Sequence, residues 1–175
     1  MEAVSRGDGP SLEVLVSRYH AQLLGFFFRM LAGDRATAED LVQETFVKLL
    51  RQSTYSPDRA FRPWLFAVAA NLARDHLRKA SRRPAVDDAA FAALEDPRPG
   101  PEALAVTGSI VGDVAKAVAK MPQEYRVTLI LRYGNELSLE EIAAVLDIPI
   151  GTVKSRLSVG LRALRGALIA RKLES

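Results

Sequence analysis

The sequence predicts an all-α protein built as two small helical domains. Three observations carry this. Apolar residues recur at the helical period in every dense segment, no segment shows strand-like alternation, and Pro84, Pro97, Pro99 and Pro101 crowd one stretch near the middle. With 175 residues, the chain suits one ordinary domain or two small ones.

The first helix is expected over Leu12–Leu31, where Leu12, Leu15, Val16, Tyr19, Leu23, Leu24 and Phe27 share a face and Gly33-Asp34 stops it. The second runs from about Thr37 to Leu50. Its apolar stripe is Ala38, Leu41, Val42, Thr45, Phe46 and Leu49, and its other face is Glu39, Asp40, Gln43, Glu44 and Lys48. Ser53–Pro63 reads as a loop. The third helix is expected from Pro63, a residue suited to a first helical turn, to Ala80. It should bury Leu65, Val68, Ala69 and Leu72. At about 100° per residue, Asn71, Arg74 and Arg78 fall together on the opposite face.

Residues 81–112 read as a linker with room for a short helical turn around Asp88–Leu94, because four prolines forbid a continuous helix. This leaves residues 1–80 and 113–175 as the domains. In the second domain Val111–Met121 carries Val111, Val114, Ala115 and Val118 and ends at Pro122. Gln123–Tyr133 carries Tyr125, Leu129, Ile130 and Tyr133, with Gly134-Asn135 as its C-terminal stop. Ser138-Leu139-Glu140-Glu141 is a capping box, in which Ser138 and Glu141 satisfy each other's backbone N–H. It opens a short helix with Leu139, Ile142, Ala143 and Leu146 on its apolar face. After a break at Asp147–Pro149, a last helix from near Gly151 to about Ala170 should bury Val153, Leu157, Leu161, Leu164 and Leu168.

The formal net charge is only +3, but it is unevenly spread. Arg59–Arg83 holds seven basic residues against one acid, Asp75, and Ile148–Leu173 holds six basic residues and no acid. Local basic stripes are the footprint of polyanion binding, although solvated helix faces look the same. The chain has no Cys and two distant His, His20 and His76. No disulfide, thiolate metal site or thiol nucleophile is therefore expected, and no metal or cofactor. No P-loop, GxSxG or His/carboxylate cluster marks an enzyme. The apolar run Leu23–Phe28 is broken by Gly25 and stops at Arg29, far short of the roughly 18 residues of a membrane span. Met1–Pro10 carries Glu2, Arg6 and Asp8 without an apolar core, so a secretory signal is not expected and the chain should stay in the cytoplasm.

Ser138–Arg156 has the spacing of a helix-turn-helix. A short first helix packs through Leu139, Ile142, Ala143 and Leu146 and sets the angle of a second, whose start can enter a major groove. Thr152, Lys154, Ser155 and Arg156 lie at that start, where side chains and free N–H groups suit phosphates and base edges. An ordinary helical hairpin would share the spacing.

EIAAVLDIPIGTVKSRL (Glu141–Leu157) resembles the fourth-domain signature of bacterial extracytoplasmic-function (ECF) sigma factors, and MPQEYRVTLILRY (Met121–Tyr133) the helix before it. AEDLVQETFVKLL (Ala38–Leu50) resembles the polymerase-binding helix of sigma domain 2. FRPWLFAVAANLARDHLRK (Phe61–Lys79) resembles that domain's melting and minus-10 segment. The resemblance covers nearly the whole chain in the right order. It implies a sigma factor that binds RNA polymerase core, through the clamp and flap regions, and promoter DNA, under control of an anti-sigma factor, with no catalysis and no membrane insertion of its own. It implies that Glu39, Asp40, Gln43, Glu44 and Lys48 dock on the clamp. Tyr55, Trp64 and Asn71 would serve an extruded minus-10 base, with Arg74, Arg78 and Lys79 along the phosphates. Thr152, Lys154, Ser155, Arg156, Arg162 and Arg165 would serve the minus-35 element. Trp64 could equally be core.

The chain departs from the family pattern at Val159 and Leu161, where basic residues are usual, and at Asp147, a turn position that is often Gly. Gly160 inside a helix costs ~1 kcal/mol relative to Ala. A helix-turn-helix regulator that never joins polymerase explains the second domain but not the first; an adaptor that binds an anti-sigma factor without promoter activity is the other non-catalytic alternative. The linker length implies domains that are not rigidly fixed to each other until a partner clamps them.

Overall fold

The computed structural model describes residues 9–51, 60–82 and 110–173. Its elements are α1 (Gly9–Met30), α2 (Arg35–Arg51), α3 (Phe61–Arg82), α4 (Ile110–Ala119), α5 (Gln123–Leu129), a π-helical turn (Ile130–Gly134), α6 (Leu139–Leu146) and α7 (Ile150–Leu173). No strand occurs among the described residues. Most of the expected linker, with its Asp88–Leu94 turn, lies outside them, as does Tyr55.

Helices α1, α2 and α3 pack on one another. Their core is aromatic. The Phe26 ring meets those of Phe27 and Phe66 edge-on, with centroids 5.4 and 5.7 Å apart, and all three side chains are fully buried. The buried residues of α2 are Ala38, Leu41, Val42, Thr45, Phe46 and Leu49, the stripe the periodicity selects. Thr45 is tolerated there because its hydroxyl donates to the Leu41 carbonyl at 2.7 Å. Asp34 also starts α2: its carboxylate accepts from the Thr37 N–H at 3.0 Å and the Thr37 hydroxyl at 2.6 Å, a cap worth ~1 kcal/mol. On α3, Leu65, Ala69 and Leu72 are buried and Val68 is half-buried.

In the C-terminal half the capping box forms as expected. The Glu141 N–H donates to Ser138 Oγ at 3.1 Å and the Ser138 N–H to Glu141 Oε2 at 2.7 Å. Asp147 closes α6 in the left-handed region, φ 52°, which explains why glycine suits this turn; Asp tolerates it better than most residues.

Two sequence expectations change. The helix expected over Gln123–Tyr133 becomes π-helical from Ile130, with the Asn135 N–H donating to the Ile130 carbonyl. The wider turn lets Leu131 and Leu137 both be fully buried while Gly134-Asn135 projects towards the N-terminal domain. In α7, Val153 and Leu157 are buried, but Leu161 is 41% exposed and Leu164 and Leu168 are only half-buried, because no described helix packs on the far turns of that stripe. The two domains are in contact: α3 lies against α6, and α1 against α4 and the π turn.

Gly160 is buried, and a Cβ there would sit 3.0 Å from Leu129 Cδ1. The glycine buys the close approach of α7 to α5 at a cost in helix propensity.

Candidate nucleic-acid and polymerase interfaces

The α2 candidates form one solvent-facing surface. Glu39, Asp40, Gln43 and Glu44 are exposed and Lys48 is half-buried. Glu39 pairs with Arg35 at 2.9 Å and Lys48 with Glu44 at 3.8 Å, both within the helix. Such exposed pairs contribute little to stability, so the face is free to exchange partners.

The α3 candidates are arranged differently. Trp64 is half-buried, packed on the core and 5.9 Å centroid to centroid from Phe61. It also lines a cleft with Pro63 and Ala67 of α3 and Glu140, Glu141 and Ala144 of α6. The alternative of core or function is therefore not exclusive: one side of the indole packs and another faces the seam. Asn71 is exposed and its Oδ1 accepts from Arg74 Nη1 at 3.2 Å. Arg78 pairs with Asp75 at 3.0 Å, and Lys79 is exposed. Arg74 shares a second cleft with Leu146, Ile148 and Arg156.

In the helix-turn-helix, α7 begins with the Thr152 and Val153 N–H groups donating to the Pro149 carbonyl at 2.9 and 3.2 Å. Lys154 and Ser155 are exposed, as are Arg162 and Arg165, whereas Thr152 and Arg156 are half-buried. At about 100° per residue, Lys154, Ser155, Arg162 and Arg165 share an outward arc, while Arg156 lies beside Thr152 on the flank facing α3. The structure thus splits the predicted reading set. Leu161 and Val159, where charges were expected, are both 41% exposed. Leu161 and Leu164 line an apolar groove of ≈ 530 Å³ with Phe28, Val118 and Tyr133. The sequence showed the apolar substitution there but not its surroundings.

Arginines missed by sequence reasoning hold the seam. Arg29 Nη2 donates to the Gly134 carbonyl at 3.2 Å, Arg62 Nη2 to the Asn135 carbonyl, and Arg126 Nη1 to the Met30 carbonyl at 2.9 Å. Asn135 Nδ2 donates to the Gln22 carbonyl at 3.2 Å. Burial lowers the pKa of Arg29 and of Arg126 from the usual arginine value. Arg29 is exposed as a residue, and its guanidinium lies between Gly25 and Gly134. No helix among the described residues is long and apolar enough to cross a membrane.

The Sigma-70 region 2 family model matches residues 15–83 and the Sigma-70, region 4 model matches residues 112–164. The chain is 35% identical to the RNA polymerase sigma-H factor of Pseudomonas aeruginosa, covering 96% of this chain and 91% of the relative. It is 31% identical to the ECF RNA polymerase sigma factor SigW of Bacillus subtilis, covering 96% and 94%. Among solved structures it is similar to CnrH in complex with the cytosolic domain of CnrY, with a TM-score of 0.72, 25% identity and coverage of 97% and 94%. It is also similar to the sigma factor RpoE in complex with the anti-sigma factor NepR from Bartonella quintana, with a TM-score of 0.66, 27% identity and coverage of 89% and 97%. Sigma factors are initiation factors and not enzymes; they bind RNA polymerase core and promoter DNA. Two region matches in order, with relatives aligned along nearly the whole chain, show that it belongs to the ECF sigma factor family.

Proposed function

We propose that this chain docks on the clamp of RNA polymerase through Glu39, Asp40, Gln43, Glu44 and Lys48, reads the minus-10 strand with the Trp64–Lys79 face of α3, and reads the minus-35 element with the outward arc of α7. The observation that carries this is the contrast between two exposed surfaces of different sign: an acidic-to-mixed face on α2 and a basic arc on α7. Lys154, Ser155, Arg162 and Arg165 reach the DNA directly; Arg156 and Thr152 reach it once the flank facing α3 is free. The protein acts in the cytoplasm, where its relatives' polymerase acts.

An anti-sigma factor completes the reading. Relatives in both similar structures are bound to such partners or to a cytosolic domain. The apolar groove between α1, α4, the π turn and α7 offers a partner helix both domains at once, which explains Leu161 and Leu164 at the surface. Run-off transcription with purified core polymerase tests the function. Initiation at defined sites, lost in Asp40→Lys and in Lys154→Ala/Arg162→Ala, is the expected result; core binding without initiation would favour the adaptor reading.

A further inference from the structure

Two exposed apolar residues lie on α7, and they face different ways. Val159 and Leu161 are each 41% exposed. The core side of the helix is fixed by Val153, Leu157 and Gly160, all buried. At about 100° per residue, the direction opposite them falls between Ser155 and Arg162. Val159 lies about 50° from that outward direction, nearer to it than Lys154 or Arg165. Leu161 lies about 110° away, on the side where it lines the apolar groove with Phe28 and Leu164. The groove therefore accounts for Leu161 and leaves Val159 unexplained.

Helix formation does not account for it either. A β-branched side chain loses rotamer freedom in a helix, and at an exposed position little burial offsets the loss. The neighbours of Val159 leave its methyls accessible. Ser155 and Ser158 are exposed and short, and the Ser155 hydroxyl is turned back to the Thr152 carbonyl at 3.0 Å. Arg162 follows on the same face and is exposed. With a rise of about 1.5 Å per residue, Val159 sits about 6 Å beyond Ser155, or roughly two base steps of about 3.4 Å. A helix that enters a major groove by its first turn thus brings Val159 to the base edges as well. The wall of that groove offers one apolar group, the thymine 5-methyl, and apolar side chains meet it. The other base edges offer donors and acceptors that a valine leaves unpaired.

We propose that Val159 is a specificity-determining residue of the minus-35 interface, packing its methyls on the 5-methyl of a thymine in the major groove. The position then supplies apolar base readout in place of a cation's phosphate contact. This rests on the reading of α7 as the minus-35 helix.

Duplexes bound by the full chain assembled with core polymerase are selected from a pool randomised over the upstream element. Each thymine of the selected element, on either strand, is then replaced in turn by deoxyuridine, which lacks only the 5-methyl. One replacement should weaken binding by the parent chain about fourfold, the worth of one buried methyl group. The Val159→Ser chain should bind the thymine and deoxyuridine duplexes equally. Its salt slope should match the parent's, because no phosphate contact is lost. Serine and valine have similar helix propensities, and the position is exposed, so helical signal should be unchanged. Leu161→Ala, on the groove side, should keep the thymine preference. Discrimination that survives in Val159→Ser, or a parent chain indifferent to every replacement, overturns the assignment. Lys154→Ala/Arg162→Ala separates the two possible failures. Parental affinity of that chain for the selected element would overturn the minus-35 reading of α7 itself. Loss of its duplex binding, beside a thymine preference retained by Val159→Ser, would overturn the valine contact alone.

Discussion

Helix α2 buries Ala38, Leu41, Val42 and Phe46 in its own domain and leaves Asp40, Gln43 and Glu44 in solvent. Helix α3 buries Leu65, Ala69 and Leu72 in the same core, yet the start of its other face, at Trp64 and Ala67, lies against the C-terminal domain while Asn71, Arg74 and Arg78 stay exposed. Both helices are amphipathic by the same periodicity. What differs is the second face: charged on α2, and on α3 begun by Trp64 and Ala67, which offer apolar area before the arginines start. An amphipathic pattern identifies the face a helix gives to its own core. What comes to the opposite face is decided elsewhere in the chain.

The contrast breaks most visibly at α2. Asp40→Lys should reduce capture of core polymerase by at least about tenfold, because reversing an interface charge costs several kcal/mol when the partner surface is complementary. Circular dichroism should be unchanged, since Asp40 is exposed and off the apolar stripe. Normal capture by the folded variant would remove α2 as the docking face. At α3 and α7 the expected effects are smaller. Arg74→Ala/Arg78→Ala should lower the logarithmic salt slope of single-strand binding by about 1.4, or about 0.7 per lost phosphate contact. Lys154→Ala should weaken promoter duplex binding, because the side chain is exposed on the outward arc of α7. Arg156→Ala should do so less, because the residue is half-buried on the flank facing α3. Equal effects of the two substitutions would contradict that difference in position.

The features legible in sequence are those written within a few residues of each other. The buried stripe of α2, the Ser138–Glu141 box and the break at Asp147–Pro149 each depend on local spacing or on a local backbone need. The seam was not legible. Arg62 and Asn135 are far apart in the chain, and an arginine beside Pro63 looks like any member of a basic stripe. The π turn was read as ordinary helix because its apolar spacing is compatible with both. Leu161, Leu164 and Leu168 were assigned to the core since their period is right, but α7 extends past the helices that could cover them. The site residues divide in the same way: the outward arc of α7 and the polar face of α2 follow from periodicity, whereas the partial burial of Trp64 and Arg156 follows from domain packing.

Gly160 offers a stability test of that packing. Replacing it with Ala recovers ~1 kcal/mol of helix propensity. The new Cβ would meet Leu129 Cδ1 at 3.0 Å and Cγ at 3.2 Å, and Leu129 is only 4% exposed. Overpacking at such a site costs about 1–3 kcal/mol. The repulsion should win, giving a net loss of about 1 kcal/mol by denaturant titration. A stabilised Gly160→Ala protein would show that α7 and α5 do not approach as closely as described.

The smallest expected effect distinguishes domain-internal electrostatics from the seam. Glu140 is held below its ordinary pKa of 4.5, first by its own backbone N–H, then by the Ser138 side chain, with Lys154 and Arg132 adding attraction. Its folded value is depressed, so its contribution is fully present above the unfolded value and is lost as pH falls through the folded one. The side chain is exposed, and solvent screens the charges, so the contribution is small. Glu140→Gln keeps an acceptor near Ser138 but removes the charge. Its melting temperature should fall slightly below that of the parent at neutral pH, and the gap should close as pH drops below 4.5. Every group responsible for the shift lies in the C-terminal domain, although Glu140 also lines the cleft beside Trp64. The gap should therefore be the same in the Arg29→Ala/Arg62→Ala chain, which loses two bonds between the domains. A gap that vanishes in that variant would place the source of the Glu140 shift in contacts with α3.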